Sequence, residues 1–571
     1  MSDSTVAVVG DGPPRAAVDA ALADVDATVV TPGIDGLADA DLGVVVGVAG
    51  SDGFQEANRV AAAAGVPWLA VEVGGLGGHP VAAASVTALG GAGPCYACLD
   101  TRVAANDPAS TPSEPSRPDA RFAGAIAGRL ATTHLDGADV TGTVIEIPHT
   151  RRELLPVPTC PVCGPPSPDR TLSLSHRSVP VTDTAEQAER AVDDHLGIVS
   201  VVGERESYPA PYYLARLADT DAFSDAAVME NAAGVAPDWD VAYVKAVGEA
   251  LERYAAGVYR TEHFREAAAT AVTDPVTPER FVRPESAPAV GDTTTIQWVA
   301  ATALPTESRV HVPAAFAVFP PPDEALAPAI TTGLGLGNST VAATLSGLYE
   351  VIERDATMLS WYSTFDPLEL SVDDETVAAL RRRAASEGLE TTLVLVTQDV
   401  DVPVVAAMVT RDEWPRFAAG SAADLDATAA AADALGEAVQ NWMELRALGP
   451  EDATDAGAGV ARYADNPHEV TDYFDADTTV PATDVGPADP PSGRAELDSV
   501  CTRVTDADLT PYVTRLTPRD VAAIGFEAVR VLVPGAQPLF VDDPFFGERA
   551  RTVPRELGYR PRLDRGYHPY P

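Results

Sequence analysis

Lysine is all but missing from this chain. Of its 39 basic residues only Lys245 is a lysine, and 84 Asp and Glu oppose them for a formal charge of −45. A surface so poor in cations offers no basic stripe for a phosphate backbone, so nucleic acid is not an expected partner. Long apolar runs are lacking too. Stretches such as LGVVVGVAG (42–50) are too short to span a bilayer, and no basic segment followed by an apolar one opens the sequence. No membrane span and no signal peptide are expected, and the cytoplasm is the expected location. Five cysteines among 571 residues are too few for a disulfide framework. No Gly-Lys-Ser/Thr follows any glycine-rich turn, which excludes a Walker A loop.

What is present is ample apolar material, 46% of residues, in a length that calls for two or three domains. An acidic excess combined with lysine avoidance and no loss of core residues fits a halophilic protein. At about 1 M salt the Debye length is about 3 Å and self-repulsion is muted.

Short Val-rich strands alternate with Ala-rich helices over residues 3–73, a β-α-β rhythm that predicts a small parallel sheet. The turn VVGDGPP lacks the full dinucleotide spacing and reads as a structural turn. Proline-dense stretches at 105–120 and 156–170 read as connectors. From about residue 193 the chain reads as one long α+β unit. It has strand-like VHVPAAFAVF (310–319), LVLVTQDVDVPVVAAMV (393–409) and AVRVLVPG (528–535), with an acidic, solvated insertion near 450–500. The expected architecture is an α/β N-terminal domain, residues 1–175, followed by a large α+β domain, residues 176–571.

Cys95/Cys98 and Cys160/Cys163 form two Cys-x-x-Cys knuckles. Four thiolates make a closed tetrahedral site, so structural zinc is expected to tie the connector to the first domain. Neither pair is expected to open a helix after a strand, which argues against a redox role. Cys501 has no motif around it.

Two octets, GEALERYA (248–255) and YEVIERDA (349–356), share Glu-x-x-Glu-Arg. Positions i and i+3 share a helical face, so Glu249/Glu252 and Glu350/Glu353 each project two carboxylates. Facing each other, the four would repel or take up protons unless divalent cations intervened; Mg²⁺ bridged to a polyphosphate resolves the conflict. TTGLGLGNST (331–340) reads as a glycine-rich turn entering a helix N-terminus that attracts anions. Arg354 is expected to clamp a phosphate and Asn338 to bind a phosphate oxygen or metal-bound water. Lys245 either contacts phosphate or pairs with Glu249 one turn on.

These stretches resemble the YcaO family of ATP-dependent enzymes, over roughly residues 190–571: GIVSVV, GEALERYAA, GNST…YEVIERDA, ALGEAVQNW (434–442), VRVLVPGAQPL (529–539) and the tail HPYP (568–571). The resemblance implies ATP and Mg²⁺ held by Glu249, Glu252, Glu350 and Glu353, with Lys245, Asn338 and Arg354 at the nucleotide and the tail near the active site. The first third, through PWLAVEVGG, GPCYACLDTR and the later CPVC, resembles the ThiF-like (ubiquitin-activating-like) partner domain of azole cyclodehydratases. The sequence departs from the family pattern at Ala342, at NAAGVAPD (231–238) and at Asn441-Trp442. A leader-binding winged helix is not seen.

The activity implied is phosphorylation of a backbone amide oxygen, forming azolines from Cys, Ser or Thr of a ribosomally made peptide. The alternatives are thioamide installation and a non-catalytic nucleotide- and peptide-binding scaffold. Implied partners are a precursor peptide or protein, a flavin dehydrogenase or sulfur donor, and a second copy of the chain in a homodimer.

Overall fold

The computed structural model describes residues 4–109, 116–453, 458–465, 467–540 and 543–570, without the side chains of 458–461 and 469. The β-α-β rhythm is realised as read. β1 (Ser4–Val9), α1 (Gly12–Leu22), β2 (Ala27–Val30), β3 (Leu42–Val48), α2 (Asp52–Ala64) and β4 (Trp68–Val73) build a parallel sheet. Gly10–Gly12 only turns the chain into α1, whose first turn holds two prolines.

Beyond β4 the sheet becomes antiparallel. β5 (Ala84–Leu89), β6 (Thr143–Glu146) and β7 (Thr150–Glu153) complete the order β2-β1-β3-β4-β5-β6-β7. α3 (Tyr96–Asn106) and α4 (Arg117–Leu135) lie between β5 and β6. The connector reading of 105–120 is thus too long at both ends, with 110–115 outside the described residues.

The second part begins with α5 (Val181–Glu189). A small antiparallel sheet follows: β8 (Val199–Glu206), β9 (Tyr212–Leu217) and β10 (Asn231–Val235). α6 (Trp239–Gly257), which carries the first Glu-x-x-Glu, lies across it. Next come β11 (Arg265–Ala268), β12 (Thr295–Ala303), β13 (Ser308–Pro313), α7 (Ala314–Ala317), β14 (Leu334–Gly337) and α8 (Thr340–Trp361), which carries the second. The single strand expected over 310–319 is therefore half strand and half helix.

β15 (Leu368–Ser371), α9 (Glu375–Ser386), β16 (Glu390–Leu395), β17 (Val404–Thr410) and β18 (Phe417–Ala423) lead to α10 (Ala427–Asp452), kinked at Gly449. The remainder is α11 (Ala458–Asp465), α12 (Thr471–Phe474), β19 (Thr479–Pro481), α13 (Arg494–Asp506), β20 (Tyr512–Arg515), α14 (Arg519–Ala523), β21 (Glu527–Leu532) and α15 (Arg549–Glu556). One sheet runs β11-β12-β20-β21-β14 with β13 on β12; another runs β18-β17-β16-β15-β19.

Two expectations are corrected here. The 450–500 stretch is no solvated insertion: Tyr463, Val470, Tyr473 and Phe474 are buried in the largest core cluster. Its acids face water while sparse aromatics anchor it, and average composition hides that division. TTGLGLGNST is no phosphate-cradling turn, because Leu334–Gly337 pair with β21. Its glycines serve close packing: a Cβ on Gly335 would lie 2.1 Å from the Ala343 carbonyl oxygen of α8. The same contact recurs under the other long helices, at Gly234 against α6 and at Gly420 against α10.

The two parts are joined by a buried polar contact. Arg102 of α3 pairs with Asp520 of α14, both fully buried, and Asp520 accepts a hydrogen bond from Tyr254 of α6 at 2.6 Å. Removing one partner of such a pair leaves an uncompensated charge.

Candidate active site and metal centre

Three helices, not two, carry the carboxylates. Below each helix a backbone N–H within a strand, or for α8 just before one, donates to the helix's first glutamate. Ala233 donates to Glu249 (3.4 Å), Gly333 to Glu350 (2.9 Å) and Ser421 to Glu437 (2.7 Å). The motifs of the three helices read EALER, EVIER and EAVQN. The third stretch, ALGEAVQNW, is among the matching segments, but Glu437 was not assigned a ligand role because Gln440 and Asn441 stand where the others have Glu and Arg, erasing the charge pattern but not the spacing. Glu444, two turns beyond Glu437, was missed too. Asn441 donates to the Ala419 carbonyl, while Arg446 turns away, stacked over Trp442 and paired with Glu206 and Glu387.

The acids converge electrostatically. Burial pushes the Glu252 carboxyl up to about 7, with Arg253 opposing and Glu350 and Glu249 adding to the rise. Burial also raises Glu353, against the pull of Arg354 and with Glu437 reinforcing it. Glu437 is raised chiefly by burial, with Glu350 contributing, and Glu444 likewise with Glu249 and Glu437 contributing. Ser421 ties two helices together, its hydroxyl donating to Glu353 at 2.6 Å while its N–H serves Glu437.

Cations are fewer. Arg253 contacts Glu249 and Glu252 at 3.3 and 3.2 Å, and Arg354 contacts Glu353 and Glu437 at 3.3 and 3.8 Å. Arg530 of β21 donates to the carbonyls of Thr331 and Ile330 and feels Glu350 and Glu252. It too was missed, since an arginine in a strand has no motif. Six carboxylates against three guanidiniums leave an acidic excess that divalent cations fit.

Lys245 does not pair with Glu249: its Nζ contacts Asp433 of α10 at 2.9 Å, and Arg253 pairs with Glu249 instead. Asn338 precedes α8, whose first residue, Thr340, is about 15 Å along the helix from Glu350 at 1.5 Å per residue. Its Nδ2 donates to Thr184 of α5, and its buried Oδ1 has no partner among the described residues. Two of the first N–H groups of α8 are already engaged: Val341 donates to the Ser175 carbonyl and Ala342 to the Ser339 side chain.

The tail does reach this region. His568 and Tyr570 are buried, and Tyr570 feels Arg565 and Glu353. His568 contacts the Phe540 carbonyl through Nε2, and burial depresses its pKa to about 4. Docked tail therefore binds its proton less readily than free tail. Docking is fully supported above about 6.5 and weakens as pH falls from there toward 4, by up to roughly 3 kcal/mol. Hydrogen exchange over 563–570 should accelerate across that window, and His568→Gln should flatten the response.

The second site is the cysteine quartet. All four sulfurs lie within 4.8 Å of one another, with Cys95–Cys160 at 3.6 Å and Cys98–Cys163 at 3.4 Å. Metal–sulfur bonds of about 2.3 Å in a tetrahedron put sulfurs about 3.8 Å apart, so the donor set fits. Contrary to expectation, Cys95 does open a helix after a strand, capping α3 after β5. The convergence of all four thiols, none in a disulfide, nevertheless favours metal over redox chemistry. Arg519 of α14 donates to Cys163 Sγ at 2.9 Å, and the Val157 N–H to Cys98 Sγ at 3.3 Å.

Comparison with known proteins agrees with this geometry. The family model described as YcaO cyclodehydratase, ATP- and Mg²⁺-binding, matches residues 233–537, more than half the chain. An uncharacterized protein of Methanothermobacter thermautotrophicus is 29% identical over 327 residues, 54% of this chain and 82% of that protein. A heterocyclase solved in complex with substrate and cofactor superposes with a TM-score of 0.72 at 20% identity, covering 97% of this chain and 83% of its own. The heterocyclase TruD gives 0.67 at 18% identity, covering 97% and 82%. The fold likeness therefore extends through the N-terminal part, and the chain belongs to the YcaO family.

Proposed function

We propose that this protein is an ATP- and Mg²⁺-dependent enzyme that activates backbone amides of a ribosomally made peptide, closing Cys, Ser or Thr side chains into azolines. The observation that carries the reading is the electrostatic convergence of three glutamate helices, with more acid than base, within a family that binds ATP and Mg²⁺. Glu249, Glu252, Glu350, Glu353, Glu437 and Glu444 would hold the cations. Arg253 and Arg354, freed from their glutamates once cations bind, would face the phosphates. Asn338, with its orphan Oδ1 about a nucleotide's length up α8, would meet the other end of the nucleotide. The cysteine quartet would hold zinc.

ATP supplies a phosphoryl group that turns an amide oxygen into a leaving group. The chain's own residues orient that phosphoryl group and neutralise charge, and none need become covalently attached.

The test is phosphate release by the full chain with Mg²⁺ and ATP, with and without Cys-containing peptides. Release that requires the peptide, matched by a product that has lost water, is expected. A product that gains sulfur only when sulfide is added would assign thioamide chemistry instead. Peptide-independent or absent release would leave a nucleotide-binding scaffold.

A further inference from the structure

A groove of about 780 Å³ lies over β12, where the connector before α5 passes the sheet. β11 and β13 both pair with Trp298, so they flank opposite edges of β12; β13 and β20 both pair with Thr302 and Ala303. β11 and β20 consequently share one edge with a three-residue gap, Val299–Ala301, between them, and Thr514 of β20 closes it by donating its hydroxyl to the Ala300 carbonyl at 2.6 Å. The register also sets the face. Arg265 lies opposite Trp298, His311 opposite Ala300 and Arg309 opposite Thr302, so all six side chains stand on the side away from the core residues Val299, Ala301, Val310 and Val312.

The charge of this face runs against that of the molecule. Arg170, Arg265 and Arg309 line the groove without a carboxylate partner among the described residues. Arg170 and Arg265 donate only to the carbonyls of Arg515 and Ala271. The two acids of the lining are already engaged by cations from outside it, Glu307 by Arg494 and Asp169 by Arg515. Three uncommitted guanidiniums around a small-residue floor, in a chain of charge −45, make a local anion-selective surface.

We propose that this groove docks an extended acidic segment of a polypeptide, its carboxylates meeting Arg170, Arg265 and Arg309. Single-stranded nucleic acid fits less well. The ring on this face, Trp298, is 1% exposed and gives bases nothing to stack on, and a long polyanion would meet the acidic surface outside. The groove continues into a second cavity that shares Asp169, Arg170 and His263 and is bounded by Thr159 and Arg519, beside the cysteine knuckles. The proline-dense connector thus forms one wall of a track between the two parts of the chain. The arginines supply selectivity for acids.

The test uses the full chain without nucleotide, so its outcome is independent of the ATP chemistry proposed above. Labelled peptides of one length, Glu/Asp-rich, neutral or Lys-rich, and a single-stranded oligodeoxynucleotide are titrated by fluorescence anisotropy. The acidic peptide should bind tightest and weaken with salt. Arg265→Glu with Arg309→Glu, two exposed positions, should weaken it about tenfold or more, while Arg265→Lys with Arg309→Lys should largely retain it. Equal affinity for all three peptides, tighter binding of the oligonucleotide, or indifference to the charge reversal would overturn the proposal.

Discussion

Glu252→Gln should make the nucleotide-free protein more stable and the enzyme nearly inert. In the wild type, burial holds the folded Glu252 carboxyl at about 7 against an ordinary 4.5. Folded chain binds this proton more tightly than unfolded chain. The group is neutral on both sides below about 4.5, and stability drains away as pH rises from there through 7. At pH 8 the deficit is roughly 3 kcal/mol for a side chain this enclosed. Glutamine removes the deficit, so without Mg²⁺ the variant should melt a few degrees above wild type at pH 8 and alongside it near pH 4. Mg²⁺ and nucleotide should reverse the order, because the charge that destabilises the empty cavity is what the cations require. Peptide-dependent phosphate release should fall by about 100-fold or more. Calorimetry at two pH values, with and without Mg²⁺ and nucleotide, reads both signs. A Glu252→Gln variant less stable than wild type in the empty state would place this side chain in ordinary core packing instead.

Loss of metal from the cysteine quartet should cost the most stability, and the damage should not stay local. Cys95, Cys98 and Cys160 share a core cluster with Ala246, Val247, Ala250, Leu251 and Tyr254 of α6, the helix that bears Glu249 and Glu252. Arg519 reaches from α14 to Cys163, and its neighbour Asp520 holds Arg102 and Tyr254. Cys160→Ser, or removal of zinc by a strong chelator, should lower stability by about 5 kcal/mol or more and weaken nucleotide binding in parallel. Metal analysis should find one zinc per chain, and X-ray absorption four sulfur neighbours at about 2.3 Å. A chain that keeps its thermal midpoint after complete chelation would contradict this.

The features legible in the sequence were those in which chemistry imposes a spacing. Paired glutamates three apart and cysteines three apart are written locally, and the structure brings the glutamates into mutual influence and the cysteines into one cluster. Glu437 was hidden because its partners in the motif are amides, and a lone glutamate in an Ala-rich helix looks like any solvated acid. Arg530 was hidden because β21 reads as a plain apolar strand, and only the β21–β14 pairing brings it toward Glu350 and Glu252. The glycines of 331–340 were misread for a related reason: a flexible turn and a close helix-on-strand contact ask for the same residue. Tyr463, Tyr473 and Phe474 were overlooked because their acidic neighbours dominate any running average.

The glycine contacts beneath α6, α8 and α10 also act as a ruler. With main chain resting on main chain at Gly234, Gly335 and Gly420, none of the three helices can sink toward its strand or shift sideways without collision. The mouth of the acidic cavity then has a fixed gauge, and any misfit between guest and host has to be absorbed by rotating glutamate side chains. A small ion demanding a strict octahedron suits such a rigid frame, whereas a larger and more permissive one gains little from it.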